Sequence, residues 1–194
     1  MDTVMEGLLD QWLGYRDCLP LTLEPLVEPP GTAQLAHWHE QNLRTLHVIA
    51  ILDERHQRGE PGGAIESEIE RLHQKLDVVL ELLGAVVRAR RGDLPTRPVR
   101  LSREGLSWPV APDSPAPGTQ WLASLDLHGS APAPLCWPVQ ILGVHEGEVC
   151  ARFVAMTDAL GAAIERLVFT RHRRSVAGAR SPGGGGAVSG VSRQ

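Results

Sequence analysis

Cysteine is scarce in this sequence, and so are aromatic residues other than tryptophan. Its 194 residues include three cysteines, two phenylalanines and one tyrosine. An odd number of cysteines with no Cys-x-x-Cys pair argues against a disulfide framework and a structural zinc site, and fits a reducing compartment. The few aromatic side chains leave little material for stacking single-stranded nucleic acid. With a net charge of -4 as well, we expect no DNA partner.

Signals for export and for membrane insertion are missing from the sequence. The first residues include Asp2 and Glu6, where a secretory signal would carry Lys or Arg. The richest apolar run, 78–87, is interrupted by Glu81 and is about half as long as a membrane span. We therefore predict a cytoplasmic protein without a membrane span.

Motifs that carry catalysis or bind metals are also absent. The sequence contains no G-x-x-x-x-G-K loop, no dinucleotide glycine fingerprint and no G-x-S-x-G elbow. His37 and His39 would point in different directions on a helix, and no partner follows them at ligand spacing. We predict no catalytic residue, no metal site and no cofactor, and hence a protein that is not an enzyme.

Clusters of glycine and proline divide the chain into four parts. We predict an N-terminal segment that packs on the domain (1–31), a helical oligomerisation region (32–92), a barrel with a closing helix (93–174) and a disordered glycine-rich tail (175–194). Within the first part, Leu19, Leu21 and Leu23 alternate as in a short strand. Because prolines lie beside them, we expect an edge strand there.

A heptad pattern extends through the second half of the helical region. Its members follow steps of four and three residues without a break: Ile65, Ile69, Leu72, Leu76, Val79, Leu83 and Val86. This 3.5-residue period predicts a helix whose a and d positions form one apolar seam, roughly 30 Å long at about 1.5 Å per residue. Either the seam is part of an ordinary core, or it joins copies of the chain into a homo-oligomer, a dimer or a tetramer.

The residues beside the seam change character along the helix. The flanking e and g positions hold Glu66, Glu68, His73 and Lys75 in the first half and Leu80, Leu82, Val87 and Ala89 in the second. A wider apolar stripe suits more than one contacting surface. It favours either an oligomer larger than a dimer or a helix that also packs on its own domain.

After Pro95 the period changes from helical to alternating. We predict short strands at 98–102, 105–108, 120–127, 135–144 and 148–153, with a tight hairpin turn at Glu146-Gly147. Thr157 and Asp158 are good N-cap residues for a closing helix that ends near Arg174. The fold class is therefore α+β, with a small antiparallel barrel and a closing C-terminal helix behind long heptad-bearing helices.

The segment Leu101-Ser-Arg-Glu-Gly105 resembles the S-x-x-G turn of the PilZ domain, a bacterial receptor for cyclic di-GMP. The hairpin at 138–153 and the helix that contains Leu167-Val-Phe-Thr-Arg171 are similar to the late hairpin and closing helix of that family. The heptad helix is similar to the extension of an oligomerising PilZ subgroup. The resemblance covers roughly 65–174 and implies a cyclic di-GMP signalling protein.

The family's ligand-binding arginines are not matched in this chain. The resemblance implies R-x-x-x-R before the barrel and Asp or Asn two residues before the serine. No two arginines are four residues apart, and Arg100 occupies the second position. Arg97, Arg100, Ser102 and Gly105 are the remaining candidates for nucleotide binding. Their alternative roles are a solvated basic cluster and a simple turn, in which Gly105 supplies a positive φ.

Two hypotheses therefore follow from the sequence. In the first, the protein is a receptor or adaptor of cyclic di-GMP signalling that acts on an unidentified signalling partner. Its barrel binds cyclic di-GMP only weakly or has lost the ability to bind it. In the second, the protein is a homo-oligomeric scaffold that uses a PilZ-like barrel as a protein interaction module and binds no nucleotide. Both predict self-association through the heptad helix.

Overall fold

Six antiparallel strands form a closed barrel in the computed structural model, which describes residues 14–55, 63–91 and 94–179. The strands are β1 (Tyr15–Pro25), β2 (Thr96–Leu101), β3 (Gly105–Pro109), β4 (Gln120–Leu125), β5 (Leu135–His145) and β6 (Glu148–Phe153). The helices of the described ranges are α1 (Thr32–Arg55), α2 (Ala64–Arg91) and α3 (Asp158–Ala179). None of these helices combines the length and apolar character needed to span a membrane.

The strands follow one another around the barrel in the order β1, β2, β3, β6, β5, β4, and β4 pairs with β1 to close it. Inward-facing apolar residues fill the interior, and the largest are Trp108 and Trp137, each no more than 1% exposed. Leu160, Ile164 and Leu167 of α3 belong to the same core cluster. The predicted α+β class, with a small antiparallel barrel and a closing helix, is confirmed.

Strand β1 is a full member of the barrel, which corrects the expectation of an edge strand within 1–31. Its first half pairs with β2, from Tyr15 opposite Leu101 to Pro20 opposite Thr96. Its second half pairs with β4. Proline is tolerated at position 20 because the partner changes there, since proline has no N–H to donate to a ladder. The barrel therefore includes residues outside the predicted range 93–174.

Helix α1 also belongs to this unit, because it packs on β5 and α3. The fully buried Asn42 side chain donates to the carbonyl of Cys136 at 2.7 Å and accepts from its N–H at 2.9 Å. Leu46 and Ile49 join the core cluster. The predicted helical region 32–92 thus contains one helix that is built into the barrel unit and one, α2, that carries the heptads.

The predicted hairpin turn and the predicted helix cap are both confirmed. Glu146 and Gly147 have φ values of 49° and 78°, as a tight hairpin with two positive φ angles requires. Thr157 caps α3, accepting a hydrogen bond from the N–H of Leu160 at 3.3 Å. The helix continues to Ala179, past its predicted end near Arg174, so the first residues of the predicted tail are helical. Residues 180–194 lie outside the described ranges.

Candidate functional site

The heptad seam of α2 lies on the protein surface. All seven predicted members are exposed, from 48% for Ile69 to 77% for Ile65. The others are Leu72, Leu76, Val79, Leu83 and Val86, each between 51% and 57% exposed. The seam is therefore not part of the core of its own chain. A continuous exposed apolar face of this length is typical of an interaction surface.

Helix α2 contacts its own barrel unit beside the seam. Gly84 is buried against the loop between β4 and β5, and a Cβ on it would lie 2.7 Å from the carbonyl oxygen of Gly129 and 2.9 Å from Cα of Ser130. Leu80, one turn earlier, is half-buried. One side of the helix thus faces the chain's own domain. This agrees with the prediction from the wide apolar stripe that the helix also packs on its own domain.

A second apolar strip remains uncovered on the other side of the seam. Val78 and Leu82, at heptad positions c and g, are 56% and 63% exposed. In the first half of α2 the corresponding positions carry Glu68, Arg71 and Lys75, and Glu68 pairs with Arg71 at 3.5 Å. The second half of α2 therefore has enough exposed apolar surface for more than one neighbouring helix. This is the surface that the other prediction, an oligomer larger than a dimer, requires.

The turn between β2 and β3 is built on Ser102. Its N–H donates to the carbonyl of Gly105 at 3.0 Å, and its hydroxyl lies 3.1 Å from the same oxygen. The hydroxyl oxygen also accepts from the N–H groups of Glu104 at 3.3 Å and Gly105 at 3.1 Å. Ser102 is 4% exposed, so local backbone occupies its hydroxyl.

Gly105 is required by packing, not by a positive φ. Among the described glycines only Gly118, Gly143 and Gly147 have positive φ, so the predicted reason for Gly105 is wrong. A Cβ at this position would lie 2.0 Å from the carbonyl oxygen of Ala151 on β6. Glycine here lets β3 approach β6 closely.

The two candidate arginines of β2 are directed to opposite faces of the strand. Arg97 shares the parity of the buried Val99 and Leu101 and lies opposite Leu19 at the end of the barrel. Arg100 has the other parity and lies on the outer face, between Arg16 of β1 and Ser107 of β3. Ser102 and Gly105 are together in one turn, but Arg97 and Arg100 do not converge on a common point beside it.

An outer-face polar cluster surrounds Arg100. Glu148 accepts from Arg16 at 2.7 Å and from the hydroxyl of Ser107 at 2.6 Å. Cys150 lies directly opposite Ser107 and is 1% exposed. Burial raises the pKa of its thiol, the charge of Glu148 raises it further, and Arg100 partly offsets both.

A buried ion cluster that the sequence did not reveal joins three elements. Arg171 of α3 lies 3.4 Å from the carboxylate of Asp53 in α1, and its guanidinium donates twice to the carbonyl of Leu127 at 3.2 Å. Arg174 pairs with the same carboxylate at 3.2 Å. Only the three-residue spacing of the two arginines is visible in the sequence, and nothing there indicates Asp53 as their partner.

Tyr15 lies beneath this cluster. The guanidinium carbon of Arg171 is 5.2 Å from the centre of its ring, and its hydroxyl donates to Asp17. Burial and this hydrogen bond raise the pKa of Tyr15 from 10.0 to about 12, although the charge of Arg171 opposes the change. The start of β1 is thereby tied to α3.

A groove of about 260 Å³ runs between α1 and α3 next to the ion cluster. Leu43, Leu46 and Leu167 contribute apolar lining, while His47 and Arg166 contribute polar groups. Within 14–55, 63–91 and 94–179 there is no group of three or more His, Cys, Asp or Glu side chains that could hold a metal.

Comparison with known proteins identifies a matching protein family and a similar solved structure. The family model of the atypical PilZ domain, described as a cyclic di-GMP receptor, matches residues 43–181. A solved structure of a pathogenic protein from Xanthomonas campestris is similar at 22% identity and a TM-score of 0.66, over 91% of this chain and 97% of that one. It is described as a tetrameric PilZ domain self-assembled through an unusual helical bundle, and at this identity the likeness concerns the fold alone. No curated protein matches the chain.

Proposed function

Since this chain belongs to the atypical PilZ domain family of cyclic di-GMP receptors, we propose that it is a cytoplasmic signalling adaptor whose nucleotide binding is weak or lost. In this proposal the protein acts by contacts with other proteins, including copies of itself and one further signalling protein. The single observation that carries it is the exposed heptad seam of α2.

The seam supports assembly on energetic grounds. Burying each of its seven half-exposed side chains contributes on the order of 1 kcal/mol, hence about 7 kcal/mol for each helix. A pair of helices gains about twice that amount, which offsets an association cost of about 4–15 kcal/mol. No further ligand is needed to hold the copies together.

A four-helix bundle suits α2 better than a two-helix coil. Val78 and Leu82 would stay exposed if only the a and d positions met a partner. Two neighbouring helices would cover both strips, and the similar Xanthomonas campestris protein is described as a tetramer that assembles through a helical bundle. We therefore propose a homotetramer in which Gly84 faces the chain's own barrel unit.

Weak or absent nucleotide binding is supported by the positions of the candidate residues. Guanine edges and phosphates are best bound by arginine forks, and each bidentate pair contributes about 1–3 kcal/mol. Arg97 and Arg100 lie on opposite faces of β2, and the Ser102 hydroxyl is engaged in its own turn. Loss of two such pairs weakens binding by one to several orders of magnitude, by about tenfold for each 1.4 kcal/mol.

The second candidate function is a scaffold that binds no nucleotide and uses the barrel as a protein interaction module. The engagement of Ser102 and Gly105 in the hairpin favours it, because the motif then has a purely structural reason to be present. The scaffold and the adaptor share the assembly through α2.

Calorimetric titration with cyclic di-GMP separates the candidates. The adaptor with weakened binding gives heat only at ligand concentrations above tens of micromolar, and the scaffold gives none at any concentration. A submicromolar isotherm that Arg97→Ala or Arg100→Ala abolishes would contradict both and establish a full receptor. Arg44→Ala, on the exposed surface of α1 and paired with Glu40, is the matched control.

A further inference from the structure

The groove between α1 and α3 has a floor of small and aliphatic residues. Leu46 and Leu167 are 4% and 6% exposed and belong to the core cluster. Ala50 and Ala163 also line the groove, and both are only partly buried. Two packed helices normally fill the space between them with side chains, and these alanines leave part of it open. The groove is therefore an opening with an apolar base between two helices that pack together on either side of it.

The charges at the groove leave a positive surplus. Asp53 is the acidic member of the described lining, and Arg171 and Arg174 both pair with it. Arg174 still keeps 35% of its side-chain exposure, so part of its guanidinium is accessible. Arg166 is an exposed lining residue, and no carboxylate of the described ranges pairs with it. Three arginine charges thus stand against one carboxylate, which makes the groove attractive to an anionic group.

The surface beside the groove has the same two properties. Phe169, three residues after Arg166 on α3, is 51% exposed. Ile51, four residues after the lining residue His47 on α1, is 41% exposed. The guanidinium carbon of Arg173 lies 5.8 Å from the centre of the Phe169 ring. Aromatic and arginine side chains are enriched in protein–protein interfaces, so this surroundings suits a protein partner.

The dimensions of the groove favour a polypeptide over a small molecule. Ligands and cofactors of drug size usually occupy clefts of about 300–1,000 Å³. This groove, at about 260 Å³, is smaller than that. Its lining extends from Leu43 to Asp53 on α1, which is about 15 Å, or three helical turns, at about 1.5 Å per residue. An amphipathic helix laid in such a groove inserts apolar side chains once in each turn.

We propose that the groove between α1 and α3 binds an acidic amphipathic helix of a partner protein. Its apolar side chains pack on Leu46 and Leu167, and its carboxylates pair with Arg166 and Arg174. A basic helix would meet like charges there, and single-stranded nucleic acid would find an aliphatic floor where base stacking requires aromatic rings. The inference rests on the proposed function in one respect, that the protein acts on a further signalling protein. It does not depend on assembly through α2.

Fluorescence anisotropy with two labelled synthetic peptides tests the proposal on the full chain. Both peptides have about four helical turns and the same leucine stripe on one face. The other positions beside the stripe are glutamate in the acidic peptide and lysine in the basic peptide. We expect saturable binding of the acidic peptide and binding of the basic peptide that is at least about tenfold weaker, because the cations of the groove select charge.

Two variants separate the charge of the groove from its space. Arg166→Glu reverses an exposed cation and should weaken binding of the acidic peptide by about tenfold. Ala50→Phe fills the groove and should abolish binding of the acidic peptide. Arg152→Glu is the matched control, since Arg152 is an exposed arginine of β6 that is hydrogen-bonded to Gln140 on the barrel. It should leave binding unchanged, and circular dichroism verifies that all three variants keep their fold.

No binding of the acidic peptide, equal binding of the two peptides, or undiminished binding to Arg166→Glu and Ala50→Phe would overturn the proposal. A single-stranded oligonucleotide that binds more tightly than the acidic peptide would also contradict it. The same titration on Leu72→Asp/Leu76→Asp distinguishes the groove from the assembly face. Peptide binding that persists in this variant supports the groove whether or not the seam joins copies, and binding that is lost there would place the peptide on α2 instead.

Discussion

Gly84 of α2 lies so close to Gly129 that a side chain at position 84 would collide with the loop backbone. A Cβ on Gly84 would be 2.7 Å from the carbonyl oxygen of Gly129. This contact joins the helix that carries the seam to the loop between β4 and β5. The same loop region supplies the carbonyl of Leu127 to Arg171. The orientation of the seam relative to the barrel is therefore set by backbone packing, and it is connected to the buried ion cluster.

Gly84→Ala tests this contact. Because the new Cβ would meet backbone atoms that cannot rotate away, we expect α2 to shift off the loop, with a loss of about 1–3 kcal/mol of unfolding free energy. Urea unfolding measures the change. Gly31→Ala is the matched control, since no atom lies within 4 Å of a Cβ there. Equal stability of the two variants would show that the loop does not hold the helix.

The titration of Tyr15 can be read without interference, because it is the only tyrosine in the chain. Its folded-state pKa of about 12 lies above the ordinary value of 10.0. The folded state therefore favours the neutral phenol, and the stability that this contributes is complete below about pH 10 and is lost as the pH rises through about 12. Absorbance at 295 nm, with circular dichroism at each pH, follows the transition.

Asp17→Asn provides the comparison for Tyr15. The substitution removes a carboxylate whose hydrogen bond and charge both raise the pKa of the phenol, so the transition moves down towards 10. A native transition already near 10 in the wild type would show that Tyr15 is not buried beneath Arg171 as described.

Asp53→Asn tests the buried ion cluster. The change leaves Arg171 and Arg174 without their carboxylate in a region where Arg171 is 9% exposed, and we expect a loss of about 3 kcal/mol of unfolding free energy. Glu165→Gln removes an exposed pair with Arg103 and should cost less than about 1 kcal/mol. Chemical denaturation compares the two, and similar losses would mean that the buried cluster contributes no more than a surface pair.

The sequence carried the features that depend on neighbours along the chain. The 3.5-residue period of the seam, the positive-φ pair Glu146-Gly147 and the Thr157 cap are all local, and each is found in the structure. The features it did not predict join distant residues. Asp53 meets Arg171 across 118 positions, and β1 closes the barrel by pairing with β4. The expected positive φ at Gly105 is wrong, because glycine is required there by the close approach of Ala151, which is on another strand.

The assembly face has a direct test in Leu72→Asp/Leu76→Asp. The two carboxylates would enter a packed seam, where burying an unpaired charge outweighs the apolar gain. Ser67→Asp/Gln74→Asp adds the same charge at exposed positions on the opposite side of α2. Both variants should keep the barrel, because neither pair of residues contributes to its core cluster.

Light scattering of the wild type and these two variants measures the central claim, that copies of the chain assemble through the exposed seam. The wild type and Ser67→Asp/Gln74→Asp are predicted to have about four times the 21.1-kDa mass of the chain, and Leu72→Asp/Leu76→Asp the mass of one chain. A wild type that runs as a single 21.1-kDa chain, or a seam variant with undiminished mass, would contradict the account.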